Sequence, residues 1–211
     1  MSKTYGQIVE QVCKLYQRYG IKSVTMDDVA RHLCISKKTL YEHFPDKEAL
    51  VWEVMKLEQE TWFGLMKEVT DKEMNAIDEL FGVYLVLKRM FMSFNPSVEF
   101  DLRKYYPGLS MKLREIRRTM IYESVYRNLS NGKNEGLYRK ELNPSIIARL
   151  HQLRVENIAG GDLFTTDELT SFTVFHEIFL YHLNGIMSSQ GRRYFENNYR
   201  KLRAQLEPQA S

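Results

Sequence analysis

Within residues 25–47, TMDDVARHLCISKKTLYEHFPDK, three helix starts are written one after another. Thr25 followed three residues later by Asp28 is a capping box, in which each side chain satisfies an amide that the helix start leaves unpaired. Val24 and Val29 flank it at the spacing of a hydrophobic staple. Ser36 can cap a second helix, with Ile35 and Leu40 at the same staple spacing. Pro45 ends that helix, because the residue before a proline is driven out of the helical region, and Asp46 can cap a third. Helices this short do not stand alone in water and must be held by packing. Val29, Ala30 and Leu33 supply one inner face, Leu40 and Phe44 the other. Lys37, Lys38, Thr39, Tyr41 and His43 are left on the outer face of the second helix. Cations and hydroxyls there suit phosphates, and a short helix N-terminus fits a major groove. An ordinary helical hairpin with a solvated basic face has the same pattern, so capping and periodicity alone leave both readings open.

The string T-x-x-x-V-A-x-x-x-x-I-S-x-x-T-L-Y-x-H-F-x-x-K-E-A-L, from Thr25 to Leu50, resembles the DNA-binding domain of the TetR family of bacterial transcriptional regulators. Ile8 to Gly20 matches as the preceding helix. The resemblance implies that Thr39 and Tyr41 touch DNA, with His43 and Lys47 on the backbone side. Lys37 and Lys38, at the start of the recognition helix, are placed for base-edge or phosphate contact, and Thr25 and Ser36 cap helices whose amides can meet phosphate. Glu42 would either accept from a cytosine or repel phosphate. The chain departs from the family at the turn, where Cys34 stands in place of the usual glycine. A non-glycine residue held left-handed costs about 1 kcal/mol, so the turn is either remodelled or strained.

The 211 residues suffice for one or two domains with a sizeable core. A formal net charge of +3 excludes a polybasic coat for nucleic acid, so any DNA affinity must come from a local arrangement. Two cysteines, Cys13 and Cys34, are too few for a disulfide framework and suit a reducing cytosol. The opening MSKTYGQIVEQ lacks the apolar segment of a signal peptide, and the apolar run Leu80 to Leu87 is too short to span a bilayer. A cytoplasmic, all-α protein is expected, with a helix-turn-helix domain over 1–48 and a helical ligand-binding and dimerisation domain over 49–211.

Helical spacing predicts a first helix from Tyr5 to Tyr19, closed by Gly20, and a long one opened by Asp46 and reaching about Val69. The next runs from Met74 to Phe94, apolar on nearly all sides between Leu80 and Leu87, and Asn95-Pro96 breaks it. A short helix, Ser97 to Tyr106, is expected to end at Pro107-Gly108, and another to run from Ser110 to Leu129 before a loop at SNGKNEG. Its Lys112, Arg114, Arg117 and Arg118 read as a solvated face. Asn143 and Pro144 form a cap and first-turn pair for a helix to about Ile158, which Gly160-Gly161 interrupts. Thr165 or Thr166 starts a helix to about Ser188 with apolar residues on two faces, and a last one spans Arg192 to Leu206. Two apolar faces need two partners. The resemblance implies a homodimer through helices near 144–158 and 166–188, closed as a four-helix bundle.

No nucleophile elbow, dinucleotide fingerprint or phosphate loop occurs, so no catalytic residue is assigned. His176 and His182 are six apart, whereas a zinc helix needs its histidines four apart on one face. His151, His176 and His182 read as core or interface residues, and neither a metal nor a cofactor is expected. Phe63, Met66, Tyr84, Met90, Phe91, Phe94, Tyr105, Tyr122 and Tyr126 fit either a plain core or a pocket for a small apolar or amphipathic effector. With the resemblance, these features lead to the expectation of a ligand-responsive repressor on a near-palindromic, double-stranded operator. The rival reading is a helical carrier or enzyme that keeps the helix-turn-helix as scaffold.

Overall fold

The computed structural model describes residues 4–93, 95–160 and 172–204, and these form ten helices. They are α1 (Tyr5–Tyr19), α2 (Met26–Leu33), α3 (Lys37–His43), α4 (Lys47–Thr70), α5 (Ala76–Ser93), α6 (Pro96–Tyr105), α7 (Pro107–Asn134), α8 (Pro144–Gly160), α9 (Phe172–Ile186) and α10 (Ser189–Ala204). The all-α expectation holds, with no strand among the described residues. One unit comprises Met1–Gly64 with Ser93–Arg117, the other Leu65–Met92 with Arg118–Ser211.

The first unit is built on one core. Ile8, Val9, Val12 and Tyr16 of α1 share one core with Val29 and Leu33 of α2, Leu40 of α3 and Leu50, Val51 and Val54 of α4. Val98 and Leu102 of α6 and Leu113 of α7 belong to the same core. Polar contacts fasten α6 as well. Asn95 Nδ2 donates to the Gln17 carbonyl at 2.7 Å, and the buried Asp101 accepts from the Lys22 amide at 2.8 Å. The turn after α1 needs glycine for two reasons. Gly20 has φ 79°, and a Cβ there would stand 3.1 Å from Asp101 Oδ2.

In the second unit, Ala76 and Ile77 of α5, Leu129 of α7, Ala148 of α8, Leu183 and Ile186 of α9 and Phe195 of α10 meet around Tyr138. Tyr138 is fully buried, and its hydroxyl lies 3.0 Å from both the Ala76 carbonyl and Asn128 Oδ1. Asn143 caps α8 by accepting from the Ser145 and Ile146 amides, with Pro144 in the first turn.

Two expected boundaries are wrong. Pro107 does not end α6 alone but opens α7, where a proline in the first turn has no hydrogen bond to lose. The SNGKNEG stretch is not a loop up to Asn134, because α7 runs through it. There Leu129 is buried and the Gly132 carbonyl accepts from the Tyr138 amide at 2.9 Å, so packing overrides low helix propensity. The expected break at Gly161, the helix start at Thr165 or Thr166 and the end at Leu206 lie outside the described residues.

Candidate nucleic-acid interface

Thr25 caps α2 with both halves of the capping box present. The Asp28 amide donates to Thr25 Oγ1 at 3.1 Å, and the Thr25 amide donates to Asp28 Oδ2 at 3.0 Å. Hydrogen bonds from the Thr25 hydroxyl and then its amide hold the Asp28 carboxyl below the ordinary aspartate value. The C-terminal end of α2 closes by two backbone bonds, Cys34 N–H to Arg31 and Ile35 N–H to Ala30. This closure requires a left-handed residue, and Cys34 supplies it at φ 55°, ψ 41°. The turn is therefore not remodelled; the strain is accepted. Cys34→Gly should raise stability by about 0.5–1 kcal/mol, since relief of a left-handed side chain outweighs the added chain entropy of glycine. Urea melts of the two proteins check this, and a less stable glycine variant would show the turn unstrained.

Ser36 caps α3, its Oγ accepting from the Thr39 amide at 3.0 Å and lying 2.8 Å from Thr39 Oγ1. Val29, Ala30, Leu33, Leu40 and Phe44 are buried, so α2 and α3 are fixed by the side chains expected to fix them. Lys37, Lys38, Glu42 and His43 are exposed, Thr39 is half-buried, and Tyr41 is 46% exposed. Lys37 Nζ is paired with Asp27 at 2.6 Å, whereas no ion pair involves Lys38 among the described residues. The His43 ring packs edge-on to Tyr5, with centroids 6.2 Å apart. Lys47 is placed differently. Its ammonium donates to the Ile21 and Lys22 carbonyls at 2.7 and 3.4 Å, and burial lowers its pKa. It fastens the start of α4 to the loop after α1. Ser36, Lys37, Lys38, Thr39 and Tyr41 thus lie on α3 or at its cap, Thr25 caps α2, and the Lys47 ammonium is engaged with the loop.

The residues named for an effector do not form one group. Phe63 and Tyr105 belong to the first unit, where the Tyr105 ring is 38% exposed beneath the Lys22 ammonium at 4.7 Å. In the second unit Tyr84 is buried against Phe81, Phe175 and Phe179, and its hydroxyl meets His176 Nδ1 at 2.7 Å. Tyr122 stacks on Tyr126 at 6.0 Å and reaches Ser145 Oγ at 3.2 Å. Met66 and Met90 are half-buried, while Phe94 and the Phe91 side chain lie outside the described residues. His176 and His182 serve separate neighbours, since His182 packs on His151 with ring centroids 4.5 Å apart. Sequence reasoning missed Arg154, whose Nη2 donates to His151 Nδ1 at 2.8 Å. The signal was there: three residues apart on a helix, the two side chains are neighbours.

A capped three-helix head with a basic, hydroxyl-bearing outer helix, set in an all-helical chain, defines a helix-turn-helix protein. Residues 8–54 match the family model of the bacterial regulatory proteins, tetR family. That match spans the helix-turn-helix head, so the resemblance to the family is shown for the amino-terminal domain. The HTH-type transcriptional repressor KstR2 of Mycobacterium tuberculosis is 25% identical over 80 residues, 38% of this chain and 40% of that protein. The aligned part thus covers well under half of that relative's length. A transcriptional regulator from Cytophaga hutchinsonii shares the fold with a TM-score of 0.70 and 19% identity, over 86% of this chain and 97% of the other. The structure of AibR in complex with isovaleryl coenzyme A and operator DNA is similar with a TM-score of 0.53 and 18% identity, over 79% and 92% of the two chains. Among the described residues no helix is long and apolar enough to cross a membrane.

Proposed function

We propose that this protein is a ligand-responsive transcriptional repressor of the cytoplasm, binding a near-palindromic operator as a homodimer and released by a small apolar or amphipathic effector. The observation that carries this reading is the outer face of α3. Lys37, Lys38 and Tyr41 are exposed on a helix whose opposite side is locked by Leu40 and Phe44. Lys37 and Lys38 contact phosphate or base edges, Thr39 and Tyr41 contact DNA from the same helix, and the Thr25 and Ser36 caps present amides to phosphate. His43 and Lys47 complete the backbone side, with Lys47 acting through the loop it holds. The repressor KstR2 and the AibR complex with a coenzyme A thioester and operator DNA support the assignment by similarity.

The dimer forms through α8 and α9. Ile146, Leu150 and Leu153 of α8 are 49, 57 and 57% exposed and recur at helical spacing on one side, and Tyr181 of α9 is 78% exposed. Two α3 helices related by a two-fold axis then enter successive major grooves about 34 Å apart. Residues 1–48 read DNA and 49–211 bind effector and partner. An effector preferring dimers with misplaced α3 helices releases the operator, by as much as its affinities for the two states differ. Selection of bound sequences from a random DNA pool tests the reading. A palindrome with half-sites one helical turn apart is expected, and no enrichment at low salt would sink it.

A further inference from the structure

On α8 the half-buried Arg154 has no carboxylate partner among the described residues. The Arg154 guanidinium donates from Nη2 to His151 Nδ1 at 2.8 Å, and its Nε is buried with no hydrogen-bond partner. Among the described residues no carboxylate forms an ion pair with it. Glu156, two positions on, is instead paired with Arg118 at 2.8 Å. His151 also packs on His182, 8% exposed, with the two rings 4.5 Å apart. Neither imidazole can balance the charge. Burial holds His182 down at about 4 and His151 well below the ordinary histidine value, so both are neutral at pH 7. Because His151 Nδ1 accepts from Arg154, its proton sits on Nε2. Arg154 is half-buried as a whole, but a buried donor left unpaired is costly, and a perturbed charged group of this kind is a candidate ligand site.

We propose that Arg154, with His151 and His182 beside it, is the head-group site for the effector, and that the effector carries a carboxylate. The donor set fits that group. Nε and Nη2 lie along one edge of the guanidinium, the edge that receives a planar carboxylate through two parallel hydrogen bonds. One positive charge flanked by two neutral rings matches a monoanion better than a phosphate monoester. The His151 N–H on Nε2 remains available to a bound group or its hydration shell. This inference rests on reading the second unit as the effector-binding body, and it assigns that body a chemistry.

Calorimetric titration of the full-length protein with butyrate, octanoate and benzoate tests it, with octanamide and octyl phosphate as isosteric controls. Wild-type protein should bind at least one carboxylate and should bind octanamide at least about tenfold more weakly than octanoate. Arg154→Met should lose at least about tenfold in carboxylate affinity, Arg154→Lys less, and free Arg154→Met should melt no lower than wild type. Three results overturn the proposal: no carboxylate binding by wild type, tighter binding of octyl phosphate, or equal carboxylate affinity in Arg154→Met. Failure of both variants to fold, or their conversion to monomers, also overturns it by making Arg154 a structural or subunit-contact cation. Operator binding, read separately on the same variants, should be unchanged without ligand. A protein that never binds DNA defeats the regulatory reading itself, whereas one that binds DNA but no carboxylate defeats only the head-group assignment.

Discussion

Lys38→Ala should leave the protein folded and weaken operator binding by at least about 2 kcal/mol, roughly 30-fold, because each dimer loses two contacts of about 1–3 kcal/mol. Lys38 is the stronger choice over its neighbour for an electrostatic reason. Lys37 is already paired with Asp27 at 2.6 Å, so DNA must compete with a carboxylate for that ammonium. Lys38 is exposed and has no ion pair among the described residues, so its full charge is available to phosphate. Lys37→Ala should therefore cost less than Lys38→Ala. Asp27→Asn should tighten binding, since it frees Lys37 and removes a negative charge beside α3. Salt dependence gives an independent check. Removing one phosphate contact per subunit should lower the slope of log affinity against log salt by about two. Lys38 is exposed, so thermal melts of the variant should match wild type. A Lys38→Ala protein with unchanged affinity and slope would move the DNA contact away from α3.

The amino-terminal head was legible because its signals are local. Caps, staples and a proline stop act within four or five residues, and each of Thr25, Ser36 and Asp46 caps the helix it was expected to cap. Cys34 was legible as a problem, and only coordinates could show that the left-handed turn survives it. What escaped depends on residues far apart in sequence. The Asp101 carboxylate accepts from the Lys22 amide across 79 positions, and this contact ties α6 to the loop after α1. Lys47 is expected on the backbone side of the DNA contact, yet two carbonyls 26 and 25 residues earlier hold its ammonium. The effector residues were chosen by composition, and composition does not say which aromatics face one another. Tyr84 joins a ring cluster, while Tyr105 lies on the surface of the other unit. Arg154 drew no attention because a single arginine in a helix is ordinary until its surroundings are known.

Gly132→Ala should destabilise the protein by about 3 kcal/mol, against the direction that helix propensity predicts. By propensity alone, alanine in place of glycine inside α7 gains about 1 kcal/mol. Packing reverses the sign. A Cβ on Gly132 would lie 2.1, 2.3 and 2.7 Å from three ring atoms of Tyr138, inside any tolerable contact. The ring is poorly able to retreat. It is fully buried, and its hydroxyl is held between the Ala76 carbonyl and Asn128 Oδ1, each at 3.0 Å. Moving it strands buried polar groups at about 1–3 kcal/mol, and keeping it forces the helix backbone aside at a similar cost. Gly64→Ala is the matching control, because a Cβ in that exposed part of α4 meets nothing within 4 Å. That variant should gain up to about 1 kcal/mol. A double-mutant cycle locates the clash. In a Tyr138→Val background, which removes the ring, Gly132→Ala should cost far less, and the coupling should exceed about 1 kcal/mol. Additive effects, or a Gly132→Ala protein as stable as wild type, would mean that α7 does not approach Tyr138 in this way. The glycine that made SNGKNEG look like a loop would then have no packing reason to be there.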